Sequence, residues 1–117
     1  MKKIEAIIKP YKLNDVVKAL EAIEVYKLVA EEVKGYGRSV SPTALYKVKK
    51  GMNFMLEYLP KIKLYLVVED NIAEQVVECI MKTATNNELG DGKLFVAHVE
   101  ECIDIRSGER GFCGNPG

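Results

Sequence analysis

The sequence predicts an α+β fold in which one antiparallel sheet is covered on a single face by two helices. The apolar pattern changes from a period of two to a helical period and back again, twice along the chain. Each half therefore predicts a strand, a helix and a returning strand, and the two halves form a rough internal repeat. A βαββαβ order with an antiparallel sheet is typical of the ferredoxin-like arrangement.

Length and composition limit the alternatives. The 117 residues are enough for one domain with its own core, and we expect a single domain over residues 1–117. Seventeen basic and seventeen acidic side chains cancel, so no nucleic-acid partner is expected. Nowhere does an apolar run reach the length of a bilayer, and we expect a soluble, cytoplasmic protein. Cys79 and Cys102 fall in apolar patterns and are expected to be small buried hydrophobes, and the cysteine spacing predicts neither a disulfide framework nor a metal site.

The first half contains two predicted strands around a helix. Residues 3–8 alternate and then become fully apolar, which predicts a strand that Pro10 ends. A second strand is predicted over residues 25–34, with a break at Gly35. The amphipathic helix between them places five apolar residues on one face: Leu13, Val16, Val17, Leu20 and Ile23.

The second half repeats this order. The third predicted strand places Ile62, Leu64, Leu66 and Val68 on one face. Asn71 is the expected N-cap of the second helix, which runs to residue 84. A fourth strand is predicted over residues 93–99, a short extended piece over 103–106, and a flexible tail over 108–117. Because two helices cover one face only, we expect the other face, with its apolar residues, to be an oligomer interface.

Two glycine-spaced segments predict an anion site. One is Gly90-Asp91-Gly92-Lys93 and the other is Gly35-Tyr36-Gly37-Arg38. Glycine permits a tight turn with an uncovered backbone, and each segment ends in a cation. Backbone N–H groups and a fixed positive charge are the chemistry that binds phosphate. An ordinary turn is the simpler interpretation of either segment alone, but two copies favour a shared site.

The second and third strands are separated by an insert, residues 39–60, that is far longer than most connections. A disordered surface loop is one interpretation. Its content of apolar and basic side chains instead favours a loop that docks on a partner protein. The residues expected to contact that partner are Tyr46, Lys47, Lys49, Lys50, Met52 and Phe54.

Several stretches in the right order carry a family resemblance. They are residues 1–10 (MKKIEAIIKP), 32–38 (EVKGYGR), 59–61 (LPK), 90–96 (GDGKLFV) and 105–109 (IRSGE). On these stretches the chain resembles the PII signalling proteins, which are trimeric sensors of nitrogen and energy status. The resemblance covers nearly the whole length, and it implies a homotrimer whose insert is the family's T-loop. That loop docks on target proteins such as membrane transporters or nitrogen-metabolism enzymes.

The resemblance also implies three nucleotide sites per trimer, one in each cleft between subunits, where ATP and ADP compete. Both glycine segments would hold the phosphates, Arg106 matches a phosphate-contacting arginine, and Lys61 matches a lysine that helps to hold 2-oxoglutarate. The nucleotide-binding positions carried over are Ile7, Val29, Gly35, Gly37, Arg38, Ser39, Val67, Gly90, Asp91, Gly92, Lys93 and Arg106.

The chain departs from typical members at several positions. Ser39 stands where they carry a glutamine that helps to organise Mg-ATP and 2-oxoglutarate, and Val29 replaces a hydroxyl that meets the adenine. Asp104 replaces a second phosphate-contacting arginine, a charge reversal that should cost on the order of 1–3 kcal/mol beside a triphosphate. The uridylylated tyrosine of some members has no counterpart, since Gly51 stands about there. These departures count against sensing of magnesium and 2-oxoglutarate, and they favour ADP or AMP.

The leading hypothesis is a regulator without catalytic residues, in which the bound nucleotide sets the conformation of the insert. A slow nucleotide hydrolase is one alternative, although His98 is the only histidine and no nucleophile–base spacing stands out. A trimeric adaptor that has lost its ligand is another. No metal site is predicted.

Overall fold

Within the residues that the structure describes, four strands and two α-helices follow one another in the order βαββαβ, which confirms the predicted ferredoxin-like fold class. The structure is a computed structural model, and it describes residues 1–37 and 57–111. The elements are β1 (Lys2–Ile8), a 3₁₀ helix (Pro10–Lys12), α1 (Leu13–Ala22), β2 (Val29–Gly37), β3 (Glu57–Val68), α2 (Asp70–Ala84) and β4 (Gly92–His98).

The four strands form one sheet in the order β2-β3-β1-β4, and all neighbouring strands are antiparallel. Strand β1 is central, so that Ile8 lies opposite Ile62 on one side and Gly92 on the other. Because β1 ends where β4 begins, the segment of Gly90 lies at the end of the sheet where β1 leaves it.

The core lies between the helices and one face of the sheet. The face predicted for the third strand is confirmed, because Ile62, Leu64, Leu66 and Val68 are all buried. Helix α1 contributes the buried Val16, which lies on the predicted apolar stripe. The remaining core residues are Ile4, Ala6, Ile8, Leu20, Ala73, Val76, Ile80 and Ala84.

The opposite face of the sheet, called the open face below, carries the odd-numbered residues of β1 and β3 and their partners in register. Both helices pack on the other face, so neither of them covers it. Strand β4 is poorly covered on both sides, since Phe95 and Val96 point to opposite faces and are each 51% exposed. The oligomer interface expected here, and the trimer, stay predictions. None of the helices in the described ranges is long and apolar enough to span a bilayer.

The predicted break at Gly35 is wrong. Strand β2 begins at Val29 and continues to Gly37, whose register partner is Glu57. Gly35 pairs with Leu59 in extended backbone, and a Cβ atom placed on it would make ordinary contacts of 3.7 Å. The turn expected over residues 35–37 is therefore a strand, and Glu57 to Pro60 belong to β3 rather than to the insert. Arg38 lies outside the described residues.

Three smaller expectations are also corrected. Helix α2 begins at Asp70 with Glu69 as its N-cap, two residues earlier than the expected Asn71. The Asp70 carboxylate lies 3.1 Å from the α-amino nitrogen of Met1. Cys102 is half-buried rather than buried, and it is disulfide-bonded. The chain folds back here, and Gly111 N donates to the Cys102 carbonyl at 3.0 Å. The extended piece expected over 103–106 is instead part of a hairpin that turns at residues 105–107.

Candidate functional site

The structure brings both glycine segments to the same end of the sheet but to opposite edges of it. Gly35 and Gly37 lie on edge strand β2, whereas Gly92 begins edge strand β4. Strands β3 and β1 stand between them, so the two edges are three strand spacings, or roughly 14 Å, apart. Lys61 of β3 lies between the two segments, because it pairs with Val33 of β2 and reaches across to Gly90.

The segment of residues 90–93, called the glycine turn below, has the conformation that the sequence predicts. Gly90 and Gly92 have φ angles of +88° and +123°, which side chains rarely adopt. A Cβ atom on Gly92 would lie 1.8 Å from the Ile7 carbonyl oxygen, whereas nothing lies within 4 Å of one on Gly90. Glycine is therefore required at position 92 both by its φ angle and by the close approach of the Ile7 carbonyl. It allows β4 to begin directly against β1.

Asp91 holds the loop that precedes the turn. Its Oδ2 atom accepts hydrogen bonds from Asn86 N at 2.8 Å, Glu88 N at 3.1 Å and Thr85 Oγ1 at 2.8 Å. The Oδ1 atom lies 3.2 Å from Lys9 Nζ. These donors, with the Asn86 N–H as the largest contributor, hold the pKa of Asp91 well below its usual range. The carboxylate is thus occupied within its own loop, and the turn can offer a ligand its backbone.

Three lysines lie in or beside the glycine turn. Lys93 is exposed on β4 and lies opposite Ile7 on the open face, with no ion pair among the described residues. Lys61 donates to the Gly90 carbonyl at 2.7 Å and likewise has no carboxylate within ion-pair distance in the described ranges. Lys9 pairs with Asp91 and with Glu88 Oε2, each at 3.2 Å. This end of the sheet therefore presents two cations that form no ion pair with any carboxylate in the part of the chain that the structure describes.

The pKa values at this end reflect the same charges. Partial burial lowers the pKa of Lys61, and the positive charge of Lys9 lowers it further. The hydrogen bonds to Asp91 and then to Glu88 raise the pKa of Lys9. An anion bound beside Lys61 would offset the repulsion between the two ammonium groups, which makes the site suited to a phosphate or a carboxylate.

The residues expected to meet an adenine are spread along the open face. Ile7 lies at the cationic end between Lys63 and Lys93 in register. Val67 lies opposite Lys3, four residues further along β3 than the partner of Ile7, which is roughly 13 Å away. Val29 lies opposite Tyr65 and is 40% exposed. The ion pair of Glu5 and Lys63 lies on the same face between Ile7 and Val67, so a single chain supplies separate apolar residues rather than a closed adenine pocket.

Arg106 stands apart from the glycine turn. Strand β4 runs from Gly92 to His98, so the segment with Arg106 leaves from the far end of the sheet. Arg106 is exposed in a hairpin closed by Asp104 N, which donates to the Glu109 carbonyl at 2.9 Å. No hydrogen bond or ion pair in the described part of the chain joins Arg106 to the turn. The glycine turn and Arg106 therefore do not converge within one chain.

The Asp104 side chain accepts hydrogen bonds within the same hairpin. Its Oδ1 atom accepts hydrogen bonds from Ser107 N at 2.8 Å and from Ser107 Oγ at 3.0 Å. The Ser107 N–H is the largest cause that lowers the pKa of Asp104, so the carboxylate stays ionised near neutral pH. A negative charge is thus fixed two residues from Arg106.

A groove of about 310 Å³ lies on the helix side of the sheet, between the C-terminal half of α2 and the start of β4. Its lining is mostly apolar, and no sequence pattern signalled it. The lining residues are Ala6, Ile7, Ile8, Ile80, Met81, Ala84, Thr85, Asp91, Gly92, Lys93 and Leu94. Within the described ranges, no group of three or more histidine, cysteine or acidic side chains could hold a metal ion.

One residue of the site was missed by the sequence analysis, and several predicted residues cannot be placed. Lys9 was not predicted, although its position directly before Pro10, at the end of a strand that meets the glycine turn, is a signal that could have been used. The remaining predicted site residues lie outside the described ranges: Arg38, Ser39, Tyr46, Lys47, Lys49, Lys50, Met52 and Phe54.

Comparison with known proteins finds sequence similarity to one family over nearly the whole chain. The sequence model of the family described as Nitrogen regulatory protein P-II matches residues 1–109. The Haemophilus influenzae protein named Nitrogen regulatory protein P-II is 48% identical over 109 residues, which are 93% of this chain and 95% of that protein. A Rhodospirillum rubrum protein of the same name is 47% identical over 95% of this chain and 96% of its own length. Nitrogen regulatory protein P-II 1 of Escherichia coli is 46% identical over 93% of this chain and 95% of its own length.

Proposed function

The chain belongs to the nitrogen regulatory protein P-II family, and from that membership we propose that it binds adenine nucleotides and controls a target protein through residues 39–60. The relatives it matches are named as regulatory proteins, so a signalling role is the family's role. The observation that carries the proposal is the glycine turn, where backbone with positive φ lies beside Lys61 and Lys93 at one end of the sheet. Neither lysine forms an ion pair with another described residue.

The proposed nucleotide cleft lies between subunits of a homotrimer. The glycine turn and Arg106 leave opposite ends of β4 in one chain, so a site that uses both is more readily completed by a neighbour. The open face and β4 also leave apolar side chains uncovered, including Val29 and Phe95, which a neighbouring subunit would bury. Ile7 and Val67, which lie on the same face of the sheet, would then contact the adenine from the same wall of the cleft.

The proposed signal passes through the strands that flank the insert. Gly37 and Glu57 are paired at the end of the β2–β3 ribbon, so both ends of the insert leave from one place. Lys61 of β3 holds the Gly90 carbonyl, which connects this ribbon to the glycine turn. A phosphate bound at the turn would compete for Lys61 and change how the base of the insert is held. The ligand then shifts the loop population by the difference in its affinity for the two arrangements.

Nucleotide selectivity follows from charge. Asp104 keeps its negative charge two residues from Arg106, and this penalises a triphosphate more than a diphosphate or monophosphate. We therefore propose that ADP or AMP binds more tightly than ATP. Lys61 is the residue expected to contact 2-oxoglutarate if that ligand binds, but Ser39 is too short to replace the glutamine that supports it and magnesium in the resembled family.

Isothermal titration calorimetry tests the proposal directly. The protein is titrated with ATP, ADP and AMP, each with and without magnesium and 2-oxoglutarate. We expect Lys93→Ala and Arg106→Ala to weaken binding by roughly tenfold to 100-fold, because each removes a charged hydrogen-bond donor. Lys82→Ala, in the last turn of α2, is the matched control and should bind as the wild type does. Failure of all three nucleotides to bind would leave a ligand-free adaptor.

Mixed trimers test whether the cleft lies between subunits. A site that uses Lys93 of one chain and Arg106 of its neighbour is lost in trimers of either single variant. Trimers assembled from both variants would each recover one intact cleft, formed where an unchanged Lys93 meets an unchanged Arg106. Recovery of tight binding after unfolding and refolding the two variants together is the expected result. No recovery would contradict a shared cleft without excluding nucleotide binding by the wild type.

A further inference from the structure

The Lys9 ammonium and the Asp91 carboxylate form an ion pair beside the glycine turn. We infer that these two are positioning residues, which hold residues 85–92 in the conformation that presents the turn and Lys93 to an anion. The inference rests on the proposed function for the identity of the ligand. The conformation of the loop, however, can be measured without any ligand.

The Asp91 side chain closes the loop on itself. Its Oδ2 atom accepts from the backbone N–H groups of Asn86 and Glu88 and from the Thr85 hydroxyl. Thr85 Oγ1 in turn accepts from Asn87 N at 2.9 Å. Three successive backbone N–H groups are thus held by Asp91, either directly or through Thr85. An ionised acceptor of this kind makes stronger hydrogen bonds than a neutral one.

Lys9 fixes the closed loop to the sheet. Its backbone lies between the end of β1 and the 3₁₀ helix, and its carbonyl accepts from Lys12 N at 3.0 Å. The ammonium therefore extends from a rigid base to Asp91 Oδ1 at 3.2 Å. The Asp91 side chain is 18% exposed and that of Glu88 is 66% exposed, so solvent screens the Lys9–Asp91 pair less than the Lys9–Glu88 pair.

The pair acts on the two glycines that flank Asp91. Gly90 and Gly92 can each adopt many backbone conformations in a free chain. Three hydrogen bonds and the ion pair with Lys9 fix the residue between them and so restrict both glycines. Lys61 restricts the Gly90 carbonyl from the other side. A turn that is already ordered loses less conformational entropy when it binds an anion. Lys9 and Asp91 thus support affinity without touching the ligand through their side chains.

The first readout is amide hydrogen exchange in the full-length, nucleotide-free protein, followed by NMR. We expect Asp91→Asn to speed exchange at Asn86 and Glu88 by roughly tenfold or more, because both amides lose an ionised acceptor. Lys9→Met should speed it by a smaller factor, and Lys9→Arg should restore slow exchange because it keeps the cation. In the double variant Lys9→Met with Asp91→Asn, exchange should be no faster than in Asp91→Asn alone. The core amides of β1 and β3 should not change in any of these proteins.

The second readout is the Kd for ADP in the same proteins, which should rise in the same order as the exchange rates. Asp15→Asn, an exposed change in the first turn of α1, is the charge-matched control and should leave both readouts unchanged. Unchanged exchange at Asn86 and Glu88 in both variants would overturn the inference, whatever happens to ADP binding. Faster exchange with unchanged Kd would overturn it too, since the loop would then not position the site. A wild type that binds no nucleotide would overturn the proposed function, while faster exchange in the variants would still support the ordering role.

Discussion

Replacing Gly92 by alanine should destabilise the fold far more than the same change at Gly90 or at Gly35. Alanine at position 92 would have to adopt a φ of +123°, and its Cβ atom would lie 1.8 Å from the Ile7 carbonyl oxygen and 3.0 Å from the carbonyl carbon. Both contacts are with backbone, so no side-chain rotation relieves them. The start of β4 must therefore move away from β1, at the position where Gly92 is paired with Ile8.

The magnitude can be built from these two effects. A strained backbone conformation costs on the order of 1–3 kcal/mol, and forcing an extra group into a packed position costs typically about 1–3 kcal/mol more. Gly92→Ala should thus lower the free energy of unfolding by about 2–6 kcal/mol, a large part of the roughly 5–15 kcal/mol of a typical domain. Gly90→Ala has only the backbone cost, on the order of 1–2 kcal/mol, because its Cβ atom meets nothing within 4 Å. Gly35→Ala should stay within about 1 kcal/mol of the wild type and can be stabilising, because Gly35 lies in extended backbone.

Urea unfolding followed by circular dichroism measures the three differences. All proteins are compared at one protomer concentration, because the stability of an oligomer depends on it. Equal slopes with denaturant are needed for the comparison to report stability alone. If Gly92→Ala were as stable as Gly35→Ala, the close approach of β4 to Ile7 would not exist in solution. If Gly35→Ala were as damaging as Gly90→Ala, the strand assignment at Gly35 would be wrong.

Three further predictions concern charge, the insert and pH. Asp104→Arg should raise the affinity for ATP relative to ADP by roughly tenfold or more in calorimetry, since it places a cation beside Arg106. Asp104→Asn is the control that separates this effect from loss of the Ser107 hydrogen bonds. An unchanged ratio for Asp104→Arg would contradict the charge argument. Deleting residues 43–55 should leave the melting temperature and the oligomeric state unchanged and abolish target binding, because Gly37 and Glu57 are already paired at the base of the insert; a collapsed oligomer would show that the insert is structural. The Asp91 carboxyl, followed by its ¹³C shift, should stay ionised as the pH falls through the usual aspartate range of about 4, because its donors and Lys9 lower its pKa although Glu88 lies nearby. Its contribution to stability is then fully present above the unfolded-state pKa, and it is lost progressively as the pH falls from there through the lower native-state pKa. Titration of Asp91 at the usual pH would contradict the hydrogen bonding of the loop.

The elements that the core dictates could be predicted from sequence. Leu64 and Leu66 of β3 are buried because their face of the strand meets the helices, and alternation along a strand records this directly. The helical spacing of Val16 and Leu20 indicates the buried side of α1 in the same way. Such patterns are local, since each depends on the face that one element turns to the core. For this reason the order of elements and the fold class followed from the sequence without knowledge of the sheet order.

The ribbon at the base of the insert could not be predicted by the same means. The sequence predicts that the second strand ends at Gly35, and Pro60 is likewise of a residue type that usually interrupts strands. In the structure Pro60 lies beyond Ile62, where β3 no longer has β1 beside it and pairs with β2 alone. A proline is tolerated there because one side of the strand has no partner to receive an N–H group. Whether a glycine or proline ends a strand therefore depends on which neighbours the strand still has, and that is set by register rather than by composition.

The candidate site shows the same division between local and distant causes. The Gly90–Lys93 motif predicts its own backbone conformation, because two glycines around one residue permit positive φ whatever the rest of the chain does. What the motif cannot contain is the partner of Asp91, which is Lys9 at the other end of the sequence, joined to it only because β1 and β4 pair. The residues of the motif and Lys9 have different roles. The glycines permit the conformation, Asp91 and Lys9 stabilise it, and Lys93 supplies the positive charge. A glycine turn without a distant anchor of this kind would have the same sequence pattern but would be a weaker anion site, because it would have to become ordered as it binds.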